Sequence, residues 1–163
     1  MRKAVLAALL LLLLAPVGAA RAETPTAADR LAALAGTWQG AGTWLGKPSR
    51  VEARWTLTLS GAFVRHDYDV SAAGGAAFAG TAFYRSGASG PGAATWFDSQ
   101  GSVHPIETMV DGDTLIALWG PAGGPVGKTH YRVAGERLII EDWIRGKDGG
   151  WRSFSRSELG RRP

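Results

Sequence analysis

Gly36-Thr37-Trp38-Gln39-Gly40-Ala41-Gly42-Thr43-Trp44 decides the fold: a tryptophan set between small residues at the head of a long alternating pattern opens a closed antiparallel β-barrel. The alternation is plainest just downstream. Val51, Ala53, Trp55, Leu57 and Leu59 interleave with Glu52, Arg54, Thr56 and Thr58, a period of two that gives one apolar and one wet face.

Turn signals then recur at hairpin spacing, at Gly46-Lys47-Pro48, Ser60-Gly61, Gly74-Gly75, Ser86 to Pro91, Gln100-Gly101, Asp111-Gly112, Gly120 to Gly127, Gly135-Glu136 and Lys147 to Gly150. They divide the chain into about ten strands, near 36–45, 49–59, 62–71, 76–85, 93–99, 102–110, 113–119, 128–134, 137–145 and 151–159. Connections this short exclude parallel crossovers, so successive strands pair as a meander. No second apolar layer is left over to cover a flat sheet, and closure into an up-and-down barrel follows. Thr26-Ala27-Ala28-Asp29 has the form of a capping box, and Leu31, Leu34 and Gly36 define a short amphipathic helix ahead of the first strand.

Residues 1–22 read as a signal peptide: Arg2 and Lys3 precede an apolar run from Ala4 to Val17, and Ala20-Arg21-Ala22 supplies small residues at the cleavage positions. The run is shorter than the roughly 17–25 residues of a membrane span, so the expectation is a periplasmic or secreted protein without stable membrane insertion. Residues 23–163 then form the single barrel domain. Three of the eighteen basic residues leave with the leader, so fifteen bases face fourteen acids and the net charge falls from +4 to +1. No basic stripe for nucleic acid remains. With no cysteine, thiol chemistry and zinc–thiolate sites are excluded.

Seven tryptophans, all after the leader, suit a large core or a lined cavity. Ten strands enclose more than eight do, and Gly40, Gly42, Ala53, Gly80, Ala82 and Ala117 fall at inward positions, where they leave room. The expected lining is Trp44, Trp55, Tyr68, Phe78, Trp96 and Trp119, with His66, Tyr68 and Asp98 as the polar contacts of a small, largely apolar ligand. Three alternatives stay open: a binding barrel, a hydrolase or isomerase using Asp98, His66 and Tyr68 in the mouth, and a structural barrel with a filled interior. Catalysis draws little support. There is no nucleophile elbow, and the carboxylate pairs Asp67/Asp69 and Glu141/Asp142 read as solvated strand faces. The three histidines, His66, His104 and His130, show no metal-ligand spacing; His104 reads as a rim residue and His130 as one of a wet face with Lys128 and Arg132.

Leu34 to Thr43, Leu59-Ser-Gly-Ala-Phe-Val64 with Asp67-Tyr68, Thr95-Trp-Phe-Asp-Ser-Gln-Gly101 and Asp148-Gly-Gly-Trp151 resemble a bacterial family of lipocalin-like, calycin-type barrels, a domain of unknown function. Gly36-Thr-Trp38 is similar, more distantly, to the opening of lipocalins and of haem-binding nitrobindin-type barrels. The lipocalin resemblance implies a structural lock in which an arginine of the last strand covers Trp38, with Arg156 the candidate and Arg152 the second. The nitrobindin resemblance implies a haem-ligating histidine near the C-terminus, and residues 151–163 hold none.

Overall fold

The computed structural model describes residues 24–163 apart from 76, 122, 123 and 125. The leader, and with it the expected cleavage before Glu23, lies outside the described residues.

One helix, α1 (Ala27–Leu34), precedes ten strands: β1 (Gly36–Trp44), β2 (Lys47–Thr58), β3 (Phe63–Ala72), β4 (Ala77–Arg85), β5 (Gly90–Asp98), β6 (Val103–Asp111), β7 (Thr114–Trp119), β8 (Gly127–Ala134), β9 (Arg137–Arg145) and β10 (Trp151–Arg162). Each strand pairs antiparallel with its neighbour in sequence, and β1 pairs with β10 to close the barrel. Closure leaves no sheet edge exposed, a route to stability open to a chain without disulfides.

The two ends of the barrel are built differently. At the base, Thr26 and Asp29 form the capping box, and α1 turns Ala27, Leu31 and Leu34 inward as a plug. Arg30 ties the helix to the β6–β7 turn by donating to the Gly112 carbonyl at 2.6 Å. Trp38 is fully buried and donates its Nε1–H to the Leu34 carbonyl at 2.7 Å.

Arg161, not Arg156, covers the Trp38 ring, its guanidinium 4.1 Å from the ring centroid. It also donates to the Ala35 and Ala33 carbonyls at 2.6 and 3.3 Å, satisfying backbone acceptors at the helix C-terminus. The register explains the correction. Trp38 lies opposite Arg161, whereas Arg156 lies opposite Thr43, five residues up the strand, and is held on the outer face by Glu141 and Glu158. Arg152 pairs with Asp148 in the β9–β10 loop.

The expected roles of the small residues divide. A Cβ on Gly40 or Gly42 would lie 2.1 Å from a carbonyl oxygen of β10, so these glycines serve close approach at the closing seam rather than cavity space. Gly80 and Gly127 are roofed by indoles: a Cβ there would meet the Trp96 and Trp119 rings at 1.9 and 2.0 Å. A large ring over a bare strand residue restores the packing that glycine lacks. Ala117 alone of the named small residues lines the interior cavity.

Candidate functional site

The five loops opposite α1, between β1–β2, β3–β4, β5–β6, β7–β8 and β9–β10, surround the mouth of a cavity of about 240 Å³. Its rim is aromatic. Trp44 stacks on Phe78 at 5.1 Å, Phe78 on Trp96 at 6.2 Å, and Phe154 meets Trp44 edge-on at 5.5 Å. Trp119 closes the ring near His104, with centroids 5.9 Å apart. The floor is His66, Tyr68, Tyr84, Tyr131 and Ile140.

Of the residues expected to line a ligand site, Trp44, His66, Tyr68, Phe78, Trp96, Asp98 and Trp119 stand around this cavity. Trp55 does not. It is buried below the floor with its indole flat against the His66 ring, 3.8 Å apart and 8° from parallel. Trp55 and His66 are directly opposed on β2 and β3, so the alternation that turned both inward also stacked one on the other.

Asp98 is half-buried, and its Oδ1 accepts from the Gln100 and Ser102 amides at 2.9 and 3.0 Å. This carboxylate fastens the β5–β6 turn through Oδ1 alone. His130 packs outside the barrel against Trp143 at 4.3 Å. Burial and the neighbouring Lys128 hold its titration below the ordinary value.

The interior carboxylate is Asp142, which the reading of Glu141/Asp142 as a solvated pair missed. Glu141 does face out, to Arg156, but Asp142 is buried and lines the cavity. The Trp119 indole N–H donates to the Thr129 hydroxyl at 3.1 Å, and that hydroxyl donates to Asp142 Oδ1 at 2.7 Å. Thr129 and Ser155 flank Asp142 on the two adjoining strands. Burial pushes the Asp142 carboxyl up to about 6, against the pull of the Thr129 and Ser155 hydroxyls and with a smaller push from Glu141.

The spacing Leu138-x-Ile140-x-Asp142 carries the signal that places Asp142 inside. Tyr84 and Tyr131 are likewise inward by alternation, two residues from Ala82 and Thr129. Phe154 was hidden by an irregularity: the β9–β10 register slips between Ser153 and Ser155, and such a bulge re-aims side chains against a strict period of two.

Polar atoms at the floor are under-used. Both ring nitrogens of His66 are buried without a hydrogen-bond partner inside the protein, while the Tyr68 hydroxyl lies beside those of Ser155 and Ser157 and the Tyr84 hydroxyl beside that of Tyr131. Burial pushes the His66 imidazole down to about 3, so it is neutral at physiological pH, and pushes Tyr68, Tyr84 and Tyr131 above the ordinary phenol range. Buried groups left so usually await an ordered water or a ligand atom.

Haem does not fit. Among the described residues no lysine or arginine lines the cavity to meet propionates, its volume of about 240 Å³ is too small for a porphyrin macrocycle, and residues 151–163 contain no histidine. Among the described residues no three His, Asp or Glu side chains gather as a metal site requires.

No protein-family model and no curated protein matches the chain. Among solved structures it is similar to the crystal structure of Rv2717c from M. tuberculosis, with a TM-score of 0.60 and 17% sequence identity over 86% of this chain and 100% of that one. At that identity the likeness is one of fold.

Proposed function

We propose that the protein is an exported, lipocalin-like barrel that binds a small, largely apolar molecule in its open end and carries out no reaction of its own. The observation that supports this reading is the contrast within one interior: the base is filled and sealed by α1 and Trp38, while about 240 Å³ is left under a rim of Trp44, Phe78, Trp96, Trp119 and Phe154. A concave, mainly aromatic site with a few polar groups is the common form of a small-molecule pocket.

The enzyme reading is weaker because Asp98 is engaged by the turn amides, and His66 is a buried, neutral ring stacked on Trp55 rather than a base in contact with a nucleophile. The test uses 1-aminoanthracene, a small uncharged fluorophore. Binding should raise its emission and quench that of tryptophan, and Gly80→Ala should weaken it, since the new Cβ evicts the Trp96 indole from its place on β4. Absence of dye binding by the folded barrel would overturn the container reading. Export is tested separately: the N-terminus of the protein recovered outside the cytoplasm should be Glu23.

A further inference from the structure

We propose that the cavity selects a small organic cation, an ammonium group carrying an apolar arm, with the charge held between the rim aromatics and the Asp142 carboxylate. The inference rests on the container reading and adds the sign of the ligand's charge.

The charge inventory of the lining comes first. Two acids, Asp98 and Asp142, face the cavity, with no lysine or arginine among its lining residues. Asp98 is neutralised in part by two backbone amides. Asp142 takes part in none of the ion pairs formed among the described residues; hydroxyl groups are its support. A buried carboxylate with no cation beside it is costly to retain, and a cationic ligand offsets that cost where a neutral one does not.

The aromatic rim supplies the second half of the argument. The faces of indole and phenyl rings carry negative potential and attract ammonium groups, tryptophan most strongly and most of all where water is excluded. Trp44, Phe78, Trp96, Trp119 and Phe154 stand around one opening whose inner wall holds the carboxylate. Trp119 is pinned to that carboxylate through Thr129, which fixes ring and charge relative to each other. Of the other titratable groups lining the cavity, His66 is held neutral and Tyr68, Tyr84 and Tyr131 are held protonated, and His104 stands at the rim beside Trp119. The same lining disfavours an anionic lipid, whose carboxylate would approach two acids with no base to receive it.

The experiment uses three probes that displace 1-aminoanthracene from the folded protein: benzyltrimethylammonium, its uncharged carbon isostere neopentylbenzene, and the anion 4-phenylbutyrate. Benzyltrimethylammonium should bind at least tenfold more tightly than neopentylbenzene, and 4-phenylbutyrate most weakly. Asp142→Asn should lower the affinity for the cation tenfold or more while leaving that for neopentylbenzene unchanged or improved. In the unmodified protein the cation's affinity should fall as the pH is lowered from 7 to 5, through the raised titration of Asp142. His104, also at the rim, is controlled by His104→Gln, which should preserve that fall. Equal affinity for cation and isostere, or an Asp142→Asn variant that keeps the preference, overturns the cation assignment and leaves the container reading standing. If the dye and all three probes fail to bind, both readings fall together.

Discussion

The base and the cavity of this barrel use the same strands and the same residue types, yet the base is filled and tied to the helix end, while the cavity keeps open space and a buried carboxylate. At the base the Trp38 indole donates to Leu34, an Arg30 Nη to Gly112, and Arg161 to Ala33 and Ala35, although Arg30 Nε and the Trp55 indole N–H are buried without partners. In the cavity above that plug both ring nitrogens of His66 are buried without partners at the floor, and Asp142 on the wall has no counter-ion among the described residues. The base is organised for stability. The cavity keeps a buried charge without a counter-ion among the described residues, which costs stability and is expected where a site is shaped for something other than its own fold.

The largest effect that can test this division is at the base. Trp38→Ala removes a fully buried ring from the plug and should destabilise the barrel by about 3–5 kcal/mol in a denaturant titration. Trp44→Ala at the half-buried rim should cost clearly less, on the order of 1 kcal/mol, because much of the ring already meets water. Equal losses at the two positions would erase the distinction between ends.

Asp142→Asn should act in the opposite direction. The carboxyl titrates at about 6 in the fold against 3.8 ordinarily, so its ionisation weakens the fold progressively as pH rises from about 4 to 6. At pH 7 the amide variant should be the more stable, by up to about 3 kcal/mol, since each pH unit separating the folded from the ordinary titration carries roughly 1.4 kcal/mol. At pH 4 the advantage should be gone. A variant that is less stable at pH 7 would mean that the carboxylate is already compensated.

His66 supplies the complementary pH arm. It titrates at about 3 in the fold against 6.5 ordinarily, so the stability its neutral form permits is complete above pH 6.5 and is lost as the pH falls toward 3. Between pH 6 and 4 the losses from His66 and the gains from Asp142 run at similar slopes and nearly cancel. The unmodified barrel should therefore change little over that interval on account of this pair. Asp142→Asn should expose the His66 slope as a loss of about 2–3 kcal/mol between pH 6 and 4. His66→Phe, which keeps a ring on Trp55, should remove the loss. Melting midpoints measured at half-unit intervals would show whether the two slopes exist.

Why some of this was legible in the chain and some not is a matter of period. Ten strands, their order, their closure and the capping box followed from hairpin spacing and from an alternation that holds from Val51 to Trp55, whereas Leu57 and Leu59, read on the same inward face, are exposed at the β2–β3 turn. The same alternation turned Trp44, His66, Tyr68, Trp96 and Trp119 toward one interior. It could not say that Trp55 and His66 would be cross-strand partners, because pairing depends on where the β2–β3 turn falls, and Leu59 and Ser60 there adopt positive φ of 50° and 56°. Nor could it show Phe154, hidden by the bulge in β10. Asp142 was missed for a different reason. The prior against a buried carboxylate outweighed the alternation with Leu138 and Ile140, and a functional interior is where such a prior fails.

Arg161 and Arg156 give the smallest and most local test of the comparison. They lie on one strand, five residues apart, with the same chemistry and with acidic neighbours in each case. What separates them is the partner. Arg161 stacks on the buried Trp38 ring and donates to two helix-end carbonyls, whereas Arg156 joins Glu141 and Glu158 on an exposed face. Stacking over an indole contributes about 0.5–2 kcal/mol, and the loss of two carbonyl partners adds to it. An exposed ion pair contributes about 0–1 kcal/mol and is screened by salt. Arg161→Ala should thus lower stability by about 1–3 kcal/mol with little sensitivity to ionic strength. Arg156→Ala should lower it by under about 1 kcal/mol and lose even that in molar salt. Both variants should leave 1-aminoanthracene binding untouched, because neither side chain reaches the cavity wall. If Arg156→Ala proved the more damaging of the two, the lock would have to be sought at the middle of β10 and the base would not be the sealed end.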